Sequence, residues 1–259
     1  MRSTFVRRSV IASTAVSLAL LGTACGKSED KTADAKPSAA SSSAPAAAAA
    51  KGKTDAELTP LLLAEGDVKD HAVKPATPAE AAAGLASTSD KAECKPLVQA
   101  QSFGVLGTPS GSARTKAAGG SAGKSTDPGA SPEDKLKAGL EALGSTNMTA
   151  ITLTSYDAKG AEEAFASVKA AGTACAGGYT ATQAGEPTKV TAVAPGAAVS
   201  AGDEAASYTI TLDGDGTPIT TQLVVVRKGN TLATFAALNL GGKADQPTAV
   251  IDAQVKKLG

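Results

Sequence analysis

Polar and apolar positions alternate most strictly at residues 207–212 (SYTITL), with Tyr208, Ile210 and Leu212 on one side and Ser207, Thr209 and Thr211 on the other. That period of two belongs to a half-buried strand. The LVVV run inside residues 218–227 reads as a central strand, and residues 188–193 and 231–238 as two more. Asp213-Gly214-Asp215-Gly216 and Lys228-Gly229-Asn230 separate the last three runs with short Gly-containing turns, so these runs predict an antiparallel meander. Upstream, residues 148–156 (MTAITLTSY) alternate Ile151 and Leu153 with threonines, another strand.

The period changes to that of a helix at residues 158–172. There Ala161, Ala164, Phe165, Val168 and Gly172 make an inner stripe, while Lys159, Glu162, Glu163 and Lys169 face water. A helix over residues 91–102 carries Cys94, Leu97 and Val98 on one side. The last helix opens at Pro247, buries Val250, Ile251, Val255 and Leu258, and sets Lys256 and Lys257 at its negative pole. For the first helix, within residues 54–65, two starts are open. Thr54-Asp55-Ala56-Glu57 is a capping-box sequence ahead of Leu58, Leu61 and Leu62; alternatively Thr59 is the N-cap, with Pro60 at the first helical position. The order of helices, strand, helix, strands and helix predicts an α+β fold, an antiparallel sheet packed with helices, over residues 54–259.

Three stretches lack such periodicity. Residues 107–132 are rich in Gly, Ser, Ala and Pro and are expected to be a flexible insertion on the domain surface. Residues 26–53 hold no Val, Ile, Leu, Phe or Tyr, too little apolar surface to offset the entropy of ordering. They are expected to be a disordered tether with a reach of roughly 30 Å. The first 24 residues have basic Arg2, Arg7 and Arg8, an apolar run at 10–21 and small residues before Cys25, the layout of a cleaved export signal. The apolar run is about a dozen residues, short of the roughly 20 that span a bilayer. Leu20-Leu21-Gly22-Thr23-Ala24-Cys25 resembles the lipobox of bacterial lipoproteins, although Gly22 stands where leucine is usual. The resemblance implies that Cys25 is acylated, for instance with palmitate, and anchors the chain to the cell membrane on its extracytoplasmic face. Arg7-Arg8 is also similar to a twin-arginine export signal but lacks the usual phenylalanine, so Sec and twin-arginine export both stay open.

Charge and cysteine count narrow the chemistry. The chain has 25 basic and 25 acidic residues, and removal of the signal leaves 22 against 25. A mildly acidic chain with few aromatics has neither the phosphate-neutralising cations nor the stacking groups of a nucleic-acid binder. With Cys25 acylated, Cys94 and Cys175 are left to pair, and a lone pair outside the cytoplasm predicts a disulfide. There is no CxxC motif, so the bond is structural.

Catalytic motifs are weak. Gly119-Gly120-Ser121-Ala122-Gly123 has the G-x-S-x-G spacing, but it lies in the low-complexity stretch and His71, the sole histidine, is upstream. Asp213-Gly214-Asp215 resembles the opening of a calcium loop, yet the twelfth position is Val224, so a hairpin turn is expected. One histidine excludes a two-histidine metal site, and His71 is expected in a loop. No spacing singles out an acidic pair for acid–base work. Tyr156, Tyr179 and Tyr208 belong either to the core or to a pocket wall. No cofactor, metal ligand or catalytic residue is assigned.

The Leu-rich first helix followed by Gly66-Asp67-Val68, then Cys94, then a strand running through Ser155-Tyr156-Asp157 into the helix before Cys175, resembles one known domain. It is similar to the extracellular sensor domain of the actinobacterial PknH-type serine/threonine kinases and the lipoproteins that share it, over about residues 54–259. Members commonly carry four cysteines and a tryptophan; this chain has one pair for the domain and no Trp. The resemblance implies an α/β sandwich with a cleft between sheet and helices, and binding of a small or lipid-like ligand. The expected function is that of a membrane-anchored, non-enzymatic lipoprotein domain that binds a ligand or an envelope protein. The alternatives are a lipid or glycolipid carrier and a carboxylate-dependent hydrolase.

Overall fold

The computed structural model describes residues 50–120, 129, 131–239 and 241–259. They fall in one compact unit, Ala47–Gly259. The export signal at 1–24, Cys25 and the tether up to residue 49 lie outside the described residues.

In chain order the elements are α1 (Asp55–Leu58) continued by a 3-10 turn (Thr59–Leu61), β1 (His71–Pro75), α2 (Pro78–Leu85), β2 (Thr88–Ser89), and a 3-10 turn (Ala92–Cys94) leading into α3 (Lys95–Gln101). Then come β3 (Gly111–Gly120), α4 (Pro132–Ser145), β4 (Thr146–Ser155), α5 (Gly160–Ala174), β5 (Tyr179–Gln183), β6 (Glu186–Pro195), β7 (Glu204–Gly214), β8 (Thr217–Lys228), β9 (Thr231–Asn239) and α6 (Thr248–Leu258). The strands form one antiparallel sheet in the order β1-β3-β4-β9-β8-β7-β6-β5-β2. The α+β expectation holds, with the predicted meander as its centre.

Both faces of the sheet are covered. On one face Leu223, Val225, Leu232 and Ile210 pack with Leu97, Val98, Phe165 and Val168 of α3 and α5. On the other, Val224, Val226, Ala233, Phe235, Ile151 and Leu153 pack with Leu58 of α1 and Val250 and Ile251 of α6. The consecutive apolar run of β8 follows directly, since a strand buried on two faces has no polar side to alternate with. The disulfide Cys94–Cys175 joins the start of α3 to the residue that caps α5, with Cα atoms 5.8 Å apart. It therefore clamps together the two helices of the first face.

Two expectations about unpatterned segments are corrected. Residues 111–120 of the supposed insertion are β3, an internal strand paired with both β1 and β4. Its small residues serve packing: Ala113 and Ala117 are buried beneath α1, and a side chain on Gly111 would meet the backbone of Thr54 and Asp55 at about 2.5 Å. Residues 132–145, given no structure from sequence, form α4, whose start is capped by Ser131 receiving the Asp134 N–H (3.1 Å). The tether's last residues, 50–53, are docked rather than free. Asp157 accepts the Gly52 N–H (2.7 Å), Ser155 Oγ the Lys53 N–H (3.0 Å), and Asn230 donates to the Lys51 carbonyl (2.8 Å).

The first helix resolves in favour of the Thr54 start. Thr54 and Glu57 form the reciprocal box, and Pro60 then sits in the 3-10 turn, where it removes no needed donor. His71 is on β1 rather than in a loop; its Nδ1 lies 2.8 Å from the Lys69 carbonyl and its ring covers Gly119.

A candidate ligand cleft on the helix α3 side of the sheet

The chain pairs seven strands, β3 to β5, around one concavity of about 320 Å³. Laid flat, seven strands would extend roughly 29 Å across, at about 4.8 Å per gap. The register break between Val190 and Ala192 puts an extra residue into β6, and bulges of this kind sharpen the local twist.

Small residues on the floor leave the space open. Cross-strand partners Ala150 and Ala236 lie side by side where larger residues would fill the gap. Next to them Met148 and Leu238, also direct partners, are 44% and 38% exposed at the mouth. Leu212 and Thr221 continue the floor, and Val98, Gln101 and Phe103 from the end of α3 form the roof.

Polar groups in the wall are held in place. Tyr179 donates its hydroxyl to Gln101 Oε1 (2.9 Å), Gln101 Nε2 donates to Thr221 Oγ1 (3.3 Å), and Thr221 donates to the Ile210 carbonyl (3.4 Å). Burial raises the Tyr179 phenol well above its ordinary value, so it remains a neutral donor. At the β3 end, Lys116 pairs with Glu80 of α2. Glu80 is also the third residue of a capping box with Thr77. The Lys116 hydrogen bond, followed by those from Thr77, lowers its carboxyl to about 2, so it is anionic at any physiological pH.

Two backbone features fix the roof. A side chain on Gly84 would run into the Ser102 carbonyl, so only glycine lets α2 approach the end of α3 this closely. Phe103 then adopts φ 56°, a left-handed conformation rare for a bulky residue. It stands at the position after a helix end where glycine is usual, with the Gly104 N–H closing onto the Gln99 carbonyl (2.9 Å). Arg114 Nε donates to the Phe103 carbonyl (2.6 Å) and holds it there. A strained aromatic at the lip of a cleft is a feature that functional sites retain.

Of the residues singled out in the sequence, Cys94 and Cys175 form the disulfide, and Cys25 lies outside the described residues. Asp213 accepts the Gly216 N–H (3.0 Å), and Asp215 and Gly216 both have positive φ, the two-residue turn of a β7–β8 hairpin. Gly119 is in β3, whereas Ser121, Ala122 and Gly123 are outside the described residues. Tyr156 and Tyr179 are buried in the core and Tyr208 packs against it; none lines the cleft, and Tyr179 touches it only through Gln101. Among the described residues, no cluster of His, Cys, Asp and Glu is placed to hold a metal ion, and no helix is long and apolar enough to cross a membrane.

The cleft residues themselves were not found by sequence reasoning. The available signal was Thr77-Pro78-Ala79-Glu80, a second capping box with proline at the first helical position, which marks α2.

No protein-family model matches the sequence, and no curated protein matches it. Among solved structures, the chain is similar to the extracellular domain of PknH from Mycobacterium tuberculosis, at 13% identity and a TM-score of 0.46, over 80% of this chain and 97% of that one.

Proposed function

We propose that this chain is an extracytoplasmic binding domain, anchored to the membrane through an acylated Cys25, that takes a small and mainly apolar ligand in the cleft beneath α3. The observation that carries this reading is the cleft itself. It measures about 320 Å³, near the lower end of the ~300–1,000 Å³ of small-molecule sites. Its floor of alanines with a few fixed polar groups matches the composition of such sites. Its size favours a single small ligand over a carrier's two-chain lipid. The lipobox-like Cys25 and the apolar-poor stretch after it support the anchor.

The test is the mass of the protein purified from its own membranes. Under denaturing conditions the expected mass begins at Cys25, carries acyl groups and is two hydrogens light for the disulfide. Under native conditions an additional small molecule is expected, and Ala236→Leu, which fills the floor, releases it. An unacylated N-terminus elsewhere refutes the anchor; a ligand retained by the Ala236→Leu protein refutes the cleft.

A further inference from the structure

The cleft is electrically lopsided. Antiparallel pairing sets Lys74 of β1 directly opposite Lys116 of β3, so the two share one side of the sheet, where Lys116 lines the cleft and Lys74 lies just beyond its lining. Like charges directly opposite one another are unfavourable, and among the described residues the one carboxylate paired with either lysine is that of Glu80, on Lys116. Glu80 is already committed. Its Oε1 takes Lys116, while Oε2 accepts the Thr77 N–H (2.7 Å) and hydroxyl (2.9 Å). Lys74 is exposed and has no ion pair among the described residues. Among the described residues the β3 end therefore retains an excess positive charge, and Lys116 keeps two further N–H donors.

The far end lacks that charge. Gln183 and Thr188 line it without charge, and Glu186 stands opposite Gln183 across the β5–β6 hairpin. Between the two ends lie Ala150, Ala236 and Leu212.

Resting on the cleft reading above, we infer that the ligand is a small free amphiphile with an anionic headgroup, its head at Lys116 and Lys74 and its apolar part over Ala150, Ala236 and Leu212. The headgroup supplies the second anion that the lysine pair lacks, and Glu80 keeps its place in the α2 cap. An anion at the opposite end finds no cation among the lining residues, so the charge layout sets one orientation.

Three probes with the same tail separate head from cleft: 4-phenylbutyrate, 4-phenylbutan-1-ol and 4-phenylbutylamine, each measured by equilibrium dialysis against the purified full chain. The expected order is acid, alcohol, amine, with the acid about tenfold tighter than the alcohol and the gap narrowing as salt is raised. Lys74→Gln and Lys116→Gln each shrink the acid's advantage over the alcohol several-fold, whereas Lys116→Arg retains it. A cooperative thermal unfolding transition shows that the variants are folded. If the alcohol binds as tightly as the acid and Ala236→Leu abolishes both, the cleft stands and the headgroup inference falls. The inference likewise falls if both glutamine variants keep the full preference. If none of the three binds at millimolar concentration, the cleft reading falls with it.

Discussion

Gln254 is fully buried in α6, in the middle of the stripe formed by Val250, Ile251, Val255 and Leu258. It is there because its amide satisfies two backbone groups of the chain entering the fold. Oε1 accepts the Leu63 N–H (3.1 Å) and Nε2 donates to the Leu61 carbonyl (2.7 Å). Removing a partner from a buried polar group costs more than the hydrogen bond contributed, since the group left behind stays desolvated. Gln254→Ala is therefore expected to lower stability by about 2–3 kcal/mol, measured as a shift in urea midpoint at constant slope. A change below about 0.5 kcal/mol refutes the clip. The apolar members of this stripe were legible by period, but Gln254 was not, because periodicity treats a polar residue on the inner face as a gap. The same limit hid Lys116 and Glu80, whose partnership joins two elements, β3 and α2, that the sequence did not show to be adjacent.

Among the elements, the hairpin from β5 to β6 contains an unfavourable residue. Ala184 and Gly185 connect the strands with φ of 51° and 87°, the two left-handed positions of a type I′ turn. Gly185 suits its place. An alanine in that region costs on the order of 1–2 kcal/mol, whereas asparagine tolerates it and Asn-Gly is the favoured pair. Ala184→Asn is expected to raise stability by about 0.5–1 kcal/mol and the melting temperature by about 1–4 °C, measured by thermal unfolding. A lower melting temperature counts against the turn assignment. This hairpin was missed because Ala-Gly is a poor turn signal, while Asp215-Gly216 between β7 and β8 is a strong one and was read correctly. β3 was missed for a related reason. Its alternation is Ala113, Thr115 and Ala117 against Ser112, Arg114 and Lys116, a correct period of two in residues too small to register as apolar. A composition that looks like a loop makes a central strand here because β1 and β4 complete its hydrogen bonds and α1 lies close above it.

At the scale of the whole molecule, one covalent bond and two apolar faces hold the layers together. The disulfide closes a separation of 81 residues between α3 and α5, and a loop that long gives up considerable entropy in the unfolded chain. The double variant Cys94→Ser with Cys175→Ser is expected to lose about 2–4 kcal/mol, read from denaturant unfolding of the full chain. Stability unchanged to within about 0.5 kcal/mol refutes this role. Because α3 is also the roof of the cleft, loosening it from α5 is expected to weaken ligand retention in the same samples. This links the bond to the site without placing either cysteine in it.

Elements whose side chains are large and regularly placed are legible before any fold is known: the meander of β7, β8 and β9, the inner stripe of α5, the ends of α6, and the pairing of Cys94 with Cys175. In each, local period and composition suffice, because an apolar side chain has one favourable side wherever the element comes to lie. The tertiary structure alone decided the cleft. Ala150, Ala236 and Gly84 are uninformative in sequence, since a small residue makes a tight contact or an open space according to what comes opposite. Here the register of β4 on β9 set alanine opposite alanine under the end of α3, and the approach of α2 at Gly84 brought Glu80 to Lys116.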